Sequence, residues 1–391
     1  MRKLDELIQE LCPDGVEYRA LEHCCNILDK KRKPVTKAAR VSGEYPYYGA
    51  NGVQDYVADY IFDGVYVLVG EDGSVITSSG KPVVNWATGK IWVNNHAHII
   101  EEKPGVLLRY LFYFLQTVNI APLIHGNIPK LTGSDFKAIL IAVPPLEVQQ
   151  EIVRILDQFA ELAAELAAEL TARKKQYAYY SSLLLSGEPS KQPYQYVQLS
   201  QFAKFIYGFT DKAKDEGNAR FLRITDIADN GCLKRDDAKY ITLSDESRKY
   251  LVEKGDILMA RTGATYGKTL YVPDNTPAVY ASFLIKICLD NSVMLNRFYW
   301  HFAQSHLYWM QANKLVSGGG QPQFNSGAIG KVLVPVPSLE EQHRIVSILD
   351  RFDTLCNDLT SGLPAEIEAR QKQYEYYRDK LLIFPELREQ R

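Results

Sequence analysis

A glycine-rich basic loop is the first segment of the sequence whose residue types suggest chemistry. Residues 263–269 read GATYGKT, which resembles the phosphate-binding loop GxxxxGK[ST] but has one residue too few between its glycines. A shortened loop cannot wrap successive backbone amides around phosphates in the same way, so we do not expect ATP binding. We expect residues 261–268 to form a glycine-hinged loop after a strand, where Arg261 or Lys268 could contact a guanine edge or a phosphate. A solvated turn is the alternative.

Two asparagines and two histidines are clustered in residues 94–98, which read NNHAH. If this segment is a strand, His96 and His98 lie on one face of it, and His125 could complete a three-histidine zinc site. The same side chains are equally suited to hydrogen bonds with base edges, and they could also form the satisfied polar edge of a core strand. We favour no metal site here.

The densest run of positive charge is KKRK at residues 30–33, directly before Pro34. Because proline disfavours helix in the residue before it, we expect an extended segment suited to phosphate contact, although charge runs are often only solvated.

Residues 45–52, YPYYGANG, add aromatic side chains and a predicted Asn-Gly turn. They could stack on bases or contact thymine methyl groups, although a tyrosine in the core is the commoner case.

Sequence signatures of a catalytic site are missing. We find no [ND]PP[YF] loop for amino-group methylation, no GxGxxG after a strand, no Walker A motif and no spaced acidic and lysine cluster of a nuclease. The six cysteines include no CxxC pair, which argues against a zinc site or a disulfide framework. Without an apolar run of about 18 residues or a signal-like start, the chain is expected to be cytoplasmic.

The distribution of charge is more informative than its sum. The 391 residues carry a net charge of −2, which argues against a protein that holds DNA alone, because lysine and arginine contacts to phosphate dominate such affinity. Residues 16–143 and 194–335 carry +1 and +4, whereas the rest of the chain carries −7. Positive charge is thus located in two segments, unless the pattern is the random scatter of a near-neutral surface.

An internal repeat organises the chain. Residues 143–159, VPPLEVQQEIVRILDQF, recur 193 residues later as VPSLEEQHRIVSILDRF at 336–352. Residues 173–180, RKKQYAYY, match RQKQYEYY at 370–377 with an offset of 197, so the second copy is four residues longer. Fainter parallels join 67–73 with 257–263, 107–116 with 295–304, and 126–131 with 319–324. Such self-similarity predicts one structural unit present twice.

Both copies of the repeat are predicted to be helices. Proline precedes each one, and apolar residues from Ile152 to Leu170 recur at steps of three or four. A helix over about 146–185 would be roughly 60 Å long, too long for one compact domain to cover. Two such helices could bury their apolar stripes against each other as a coiled coil, although they could also belong to one large helical core.

The paired proline-led helices begin P[PS]LExQ and contain ILDxF, and each follows a variable globular segment. They resemble the central and C-terminal regions of Type I restriction-modification specificity subunits. The resemblance covers nearly the whole chain. It implies two globular α/β target-recognition domains joined by two long helices in an antiparallel coiled coil with pseudo-twofold symmetry. The expected segments are 1–143 with an N-terminal helix and the first domain, 144–193 as first helical spacer, 194–335 as second domain, and 336–391 as second spacer.

The resemblance also implies a function without catalysis in this chain. The chain would read a bipartite double-stranded DNA target and direct adenine methylation and restriction by partners, two modification and two restriction subunits. No cofactor is expected in this chain, whereas S-adenosylmethionine, ATP and Mg²⁺ are implied for the partners. The alternative is a coiled-coil scaffold with degenerate domains that no longer read DNA.

Residues from both segments are predicted to contact DNA. Those of the first segment are Lys31, Arg32, Lys33, Tyr48, Asn51, Asn94, Asn95, His96, Asn127 and Lys130. Those of the second segment are Arg223, Arg261, Thr262, Thr265, Tyr266, Lys268, Gln321 and Gln323.

Overall fold

The computed structural model describes residues 2–188, 193–318, 321–358 and 360–387. The chain divides into two compact units. The first unit contains the chain up to Glu165 together with the residues from Glu368 onward, and the second unit is Leu166–Ile367. No helix in the described ranges is long and apolar enough to cross a membrane.

Both units contain helices and strands. The helices are α1 (Arg2–Leu11), α2 (Leu21–Cys24), α3 (Leu108–Leu115), α4 (Gly133–Ala138), α5 (Leu146–Ser186), α6 (Asn296–Gln304), α7 (His306–Leu315), α8 (Ser326–Ile329), α9 (Leu339–Asn357) and α10 (Leu363–Leu381). The strands before α5 are β1 (Glu17–Ala20), β2 (Cys25–Ile27), β3 (Ser42–Gly49), β4 (Gly52–Val57), β5 (Phe62–Gly70), β6 (Val84–Val93), β7 (Ala97–Glu102), β8 (Ile124–His125), β9 (Lys130–Leu131) and β10 (Leu140–Val143). The strands after α5 are β11 (Gln195–Gln198), β12 (Ala203–Tyr207), β13 (Ala219–Leu222), β14 (Tyr240–Ile241), β15 (Ile257–Ala260), β16 (Thr269–Tyr271), β17 (Ala278–Tyr280), β18 (Leu284–Leu289) and β19 (Leu333–Val336).

A six-stranded sheet forms the centre of the first unit, with the strand order β2-β7-β5-β6-β3-β4. Strand β5 lies inside this sheet, and its Val67 and Val69 are fully buried because helix α3 packs on the same core as they do. The second unit has a four-stranded sheet in the order β12-β18-β15-β16 and a three-stranded sheet in the order β14-β13-β17. The predicted strands at 67–70 and 257–260 and the predicted helices near 107–116 and 295–304 are confirmed as β5, β15, α3 and α6.

An antiparallel strand pair precedes the helical region in each copy of the repeat. β1 pairs with β10, so that Glu17 lies opposite Val143, and β11 pairs with β19, so that Gln195 lies opposite Val336. Strands β10 and β19 occupy equivalent positions, 193 residues apart. The proline that follows each of them has no backbone N–H for the strand ladder and favours the start of a helix.

A buried glutamine attaches the first turn of each helical region to the globular part of its unit. The Gln149 side chain accepts a hydrogen bond from the Leu107 backbone N–H at 2.9 Å and donates to the Gly105 carbonyl at 3.1 Å. Its counterpart Gln342 accepts from the Leu295 N–H at 2.8 Å and donates to the preceding loop in the same way. Both side chains are fully buried, and buried amides require such partners. The glutamine of the repeat is therefore a structural residue.

Helix α5 confirms the long helix predicted over about 146–185. Aromatic contacts show how it pairs with the second helical region. In the first unit Phe159 stacks on Tyr377, with ring centroids 5.4 Å apart, and in the second unit Tyr180 stacks on Phe352 at 5.8 Å. The early part of each helical region thus contacts the late part of the other, as an antiparallel coiled coil requires.

The second helical spacer differs from the prediction, because it is two helices and not one. Helix α9 ends at Asn357 and α10 begins at Leu363. Asp358 accepts hydrogen bonds from the backbone N–H and hydroxyl of Thr360, which holds a turn, and a Cβ on Gly362 would lie 2.4 Å from the Thr354 carbonyl oxygen. The second copy is four residues longer between Asp350 and Arg370, and the break between α9 and α10 lies within this stretch, so the extra length does not extend one continuous helix.

Candidate nucleic-acid interface

In the first unit, the loop after β5 is joined to the loop before β9 by two backbone hydrogen bonds. The Leu131 N–H donates to the Glu71 carbonyl at 2.8 Å, and the Gly73 N–H donates to the Pro129 carbonyl at 2.9 Å. Gly73 has a φ of +81°, a conformation that glycine adopts without strain. We call these two joined loops the loop clamp of the first unit.

The second unit repeats this clamp bond for bond. The Phe324 N–H donates to the Arg261 carbonyl at 2.7 Å, and the Gly263 N–H donates to the Pro322 carbonyl at 3.1 Å. Arg261 therefore occupies the position of Glu71. The predicted glycine-hinged loop after a strand is confirmed, since Gly263 follows β15 with a φ of +70°. Residues 319–320, which belong to the predicted loop parallel, lie outside the described residues.

Two adjoining depressions beside the first clamp bring together polar residues that are far apart in the sequence. Both are lined by Gln54 and His96. One depression adds Asn51, from the turn between β3 and β4, and the other adds Asn94 and Asn95, from the turn between β6 and β7. The predicted Asn-Gly turn and four of the predicted contact residues therefore share one surface. Carboxamide groups of this kind can donate to and accept from the edge of adenine.

The expected strand over residues 94–98 is partly wrong. Asn95 and His96 form a turn, because the Asn94 side-chain oxygen accepts the His96 backbone N–H at 2.8 Å, and β7 begins only at Ala97. His96 is half exposed and pairs with Asp72. The two histidines therefore do not lie on one face of a strand.

The three-histidine zinc alternative also fails in the described part of the chain. His98 is buried, stacks on Phe136 with centroids 4.2 Å apart, and hydrogen-bonds Asp29 at 2.6 Å. His125 instead lies 3.3 Å from Asp135. The group that does collect within 4.8 Å is Asp29, Glu71 and His98, and the Arg32 guanidinium already pairs with both carboxylates. We assign no metal to it.

The basic run is shorter as an extended segment than expected. Asp29–Lys31 forms one turn of 3-10 helix, since Pro34 restrains only the residue directly before it. Arg32 points into the unit, with 12% of its side chain exposed, and pairs with Glu71 at 2.5 Å. Lys31 is exposed and forms no ion pair with the described residues, and Lys33 lies 5.9 Å from the Trp92 ring centroid. Lys30 is exposed as well and forms no ion pair with the described residues, so the three lysines of this run are available to a phosphate.

Three further residues of the first segment have different environments. Tyr48 packs against the core beside β6, and burial raises the pKa of its hydroxyl, which fits the core interpretation left open above. Asn127 and Lys130 are exposed on the loop clamp, and the Lys130 ammonium is 3.6 Å from Glu71.

Two of the three predicted basic contacts in the second unit are paired within the protein. Arg223 donates to Asp226 at 2.9 Å and also contacts Asp237, and Lys268 contacts Asp229 at 2.5 Å. Arg261 forms no ion pair with the described residues. Of the polar predictions, Thr262 is buried and accepts the Gln323 side-chain N–H at 2.7 Å, which positions that glutamine on the clamp.

The remaining predictions of the second unit divide between core and surface. Tyr266 is partly buried, packs near Trp309 and donates its hydroxyl proton to Asn313 at 2.9 Å. Thr265 donates weakly to the Thr262 carbonyl at 3.4 Å, so it supports the turn of the loop. Gln321 is exposed on the clamp.

A family model for the Type I restriction modification DNA specificity domain matches the chain twice, at residues 13–173 and 191–369. The chain belongs to the Type I specificity-subunit family. This specificity subunit is 37% identical over 382 residues to a Haemophilus influenzae protein assigned by name as a type I restriction enzyme specificity subunit, with 94% of this chain and 96% of that protein covered. It is 33% identical over 308 residues to a type I restriction enzyme specificity subunit of Escherichia coli, with 71% of each chain covered.

The fold of the specificity subunit has solved counterparts. The crystal structure of a Type I restriction-modification S subunit from M. genitalium matches with a TM-score of 0.62 at 17% identity, covering 94% of this chain and 96% of that one. A structure titled for complex assembly and conformational transition of the type I R-M system matches with a TM-score of 0.54 at 16% identity, covering 95% and 98%. The predicted family and the predicted fold of two α/β domains with antiparallel long helices are confirmed.

Three residues beside the candidate interface were not found from the sequence. Gln54 lies in β4, and its only local signal is its closeness to the Asn-Gly turn. Tyr207 and Phe283 flank Arg261 from strand ends that are 54 and 22 residues away. Nothing local to Arg261 in the sequence indicates these two rings, because only the sheet brings them to it.

Proposed function

We propose that this specificity subunit reads a bipartite double-stranded DNA target, one half with each unit, through the surfaces around the two loop clamps. The observation that carries the proposal is the repeated clamp itself: two identical pairs of backbone hydrogen bonds hold loops whose side chains differ. Two sites that recognise different DNA sequences can share one backbone arrangement if the side chains on it differ. We take residues 16–143 and 194–335 as the two recognition domains.

The chemistry of the two surfaces supports different half-sites. The first surface offers carboxamides from Asn51, Gln54 and Asn95, with Lys31 and Lys33 available for phosphate. The second surface offers an arginine and two glutamines on its clamp. Amide pairs suit adenine and arginine suits guanine, so the halves are expected to differ in sequence.

As a member of this family, the chain supplies recognition, while its partners supply catalysis. Members assemble with modification and restriction subunits, and we propose two of each for this chain, because its two helical regions repeat the same motifs. S-adenosylmethionine, ATP and Mg²⁺ then belong to the partner subunits. The chain itself would bind none of them.

The proposal is tested by footprinting on DNA with the purified chain, with and without the modification subunit. The methylated motif is first mapped in the native genome to supply the duplex. Two protected half-sites on one duplex are expected when the modification subunit is present. A scaffold with degenerate domains would protect neither half-site in either preparation, and that result would overturn the proposed function.

A chimera shows which recognition domain reads which half-site. Replacing residues 16–143 with the equivalent segment of a relative should exchange one half of the methylated motif and leave the other half unchanged. The physical reason is that each loop clamp is held inside its own unit. A chimera in which both halves change together would contradict independent reading by the two domains.

A further inference from the structure

Arg261 is held between two aromatic rings at the edge of the second loop clamp. Its guanidinium carbon lies 5.4 Å from the centroid of Tyr207 and 5.5 Å from that of Phe283. Its Nε donates to the Ser282 carbonyl at 3.0 Å. The two terminal nitrogens form no hydrogen bond or ion pair within the described ranges, so the outer end of the fork is available to a ligand.

The backbone around this arginine is fixed on both sides. The Arg261 N–H donates to the Phe283 carbonyl at 3.0 Å, while its own carbonyl accepts the Phe324 N–H at 2.7 Å. The Tyr207 ring is held as well, since its hydroxyl accepts the Ser326 backbone N–H at 3.2 Å. An arginine oriented in this way loses little conformational freedom when it binds, which favours a specific contact over a diffuse one.

The rings themselves are open to solvent. Phe283 is 51% exposed and Tyr207 is 41% exposed, although large aromatic side chains such as these are usually buried in a core. Exposed apolar groups around a single oriented cation are typical of a binding surface.

The corresponding position in the first unit has the opposite charge. Glu71 occupies it, and its carboxylate is neutralised by Arg32 at 2.5 Å and Lys130 at 3.6 Å. The backbone frame is the same in both units, so the difference lies in the side chain at this position. The contact that Arg261 can make therefore has no counterpart on the first clamp.

We propose that Arg261 reads one guanine in the half-site recognised by the second unit, with its two terminal nitrogens donating to O6 and N7 of the base. This proposal rests on the proposed function. Guanine is the base that presents two acceptors side by side in the major groove, which matches the free end of the fork. The hydrogen bond from Nε to the Ser282 carbonyl and the two ring contacts restrict the orientation of the guanidinium, so it cannot turn freely toward a phosphate.

The test compares methylated motifs of the complex with the modification subunit. Wild type, Arg261→Gln and the control Arg248→Gln are assembled, and each motif is read by sequencing methylated DNA. Arg248 is exposed in the same unit, and its side chain forms no ion pair with described residues, so the control removes the same charge elsewhere. The chimera at 16–143 identifies which half-site the second unit reads.

The wild-type motif should contain a guanine in that half-site. Arg261→Gln should lower methylation of the wild-type target by roughly 5- to 150-fold and relax or change this one position, with the other half-site unchanged. A wild-type half-site without guanine overturns the proposal, even if the variant fails to fold. An unchanged methylated motif in Arg261→Gln also overturns it. So does a loss of DNA binding that is equal for all sequences and is accompanied by a smaller dependence of binding on salt, because that result indicates a phosphate contact. Failure of the wild-type complex to methylate any specific sequence would contradict the proposed function itself.

Discussion

Adjacent basic residues of the run at 30–33 differ in what the fold leaves them free to do. Arg32 is turned inward, where its guanidinium bridges Asp29 and Glu71 and donates to the Ala97 carbonyl at 2.6 Å. Lys31 projects to solvent. In this setting arginine suits the buried network, because its planar fork satisfies several acceptors at once. Charge in the sequence is therefore not the same as charge available to DNA.

Replacing Arg32 and replacing the neighbouring lysines should have separable effects. Lys31→Ala with Lys33→Ala should weaken binding to all DNA sequences and reduce the salt slope by about 0.9 for each lost phosphate contact, with the motif retained. Arg32→Ala should instead lower the free energy of unfolding of the first unit by about 2 kcal/mol, because it removes the charged hydrogen bonds of Arg32 to Glu71 and to the Ala97 carbonyl. Salt titration of binding and urea unfolding measure the two effects. The interpretation fails if the double lysine variant keeps the wild-type salt slope.

The position of a predicted contact residue in the fold could be anticipated where the signal was local, and could not where it depended on residues far away in the sequence. Asn51 and Asn95 were found because Asn-Gly turns and paired asparagines have local signatures, and both line the depressions beside the first clamp. The pairing of Lys268 with Asp229 could not be predicted, because the partners are 39 residues apart. Composition alone does not distinguish a paired cation from a free one.

At the scale of elements, an aspartate of the repeat attaches each helical region to a globular helix. Asp157 accepts from Arg109 on α3 at 2.8 Å, and Asp350 accepts from Arg297 on α6 at 2.6 Å. The motif ILDxF thus predicted more than a helix, since its aspartate has the same role twice. The break between α9 and α10 was missed because a helical repeat pattern continues on both sides of the turn.

The two attachments differ at one position. In the first unit the Tyr113 hydroxyl also donates to Asp157 at 2.5 Å, whereas in the second unit His301 Nε2 hydrogen-bonds Asp350 at 2.7 Å. Burial lowers the pKa of His301, and the hydrogen bond to Asp350 opposes that shift only in part. Burial also opposes the charged form of Asp350, but hydrogen bonds from His301 and Arg297 outweigh it and lower its pKa. The histidine is therefore the group of this attachment that responds to mildly acidic pH.

The second unit should lose stability below about pH 6.5, the usual pKa of histidine, because the unfolded chain then binds a proton that the folded His301 resists. The loss should reach at most about 1.4 kcal/mol per pH unit. His301→Tyr copies the arrangement of the first unit and should remove this part of the pH dependence. The other groups facing His301 are Arg297, Asp350, Asp353 and Tyr177.

Urea unfolding of wild type and His301→Tyr at pH 7.5 and pH 5.5 measures this contribution. The difference between the two proteins should change with pH, whatever the absolute stability of the variant. Asp350 should stay charged at both values because its pKa is lowered. An equal loss of stability on acidification in both proteins would show that His301 does not titrate as described.

At the scale of the whole molecule, one fold is used twice with different surfaces. The strand pair before each helix, the buried glutamine, the aspartate attachment and the loop clamp all recur. The side chains at the clamp do not recur, and Glu71 stands where the second unit has Arg261. Evolution of a new target then requires changes on the clamp and its neighbours, while the repeated contacts keep both units folded.

Helix α5 is the element whose length should set the distance between the half-sites, because it is one continuous helix with residues in both units. Its middle reads AELAAELAAELT at 160–171, a four-residue unit written three times from strong helix formers. One inserted Ala-Glu-Leu-Ala should therefore extend the helix by about 6 Å and rotate the following residues by about 40°. The alternative is that this stretch is only a low-complexity helix that does not set the spacing.

The insertion should lengthen the unspecific gap in the methylated motif by roughly one or two base pairs, given about 3.4 Å for each pair, and leave both half-sites unchanged. The same four residues inserted after Glu188, beyond the end of α5, serve as the control, since they add chain without lengthening the helix. The break between α9 and α10 can absorb part of the change, because it lies within the stretch in which the second copy is four residues longer. Sequencing of methylated DNA from both insertion variants gives the answer. An active helix-insertion variant with the original gap would show that α5 does not set this distance.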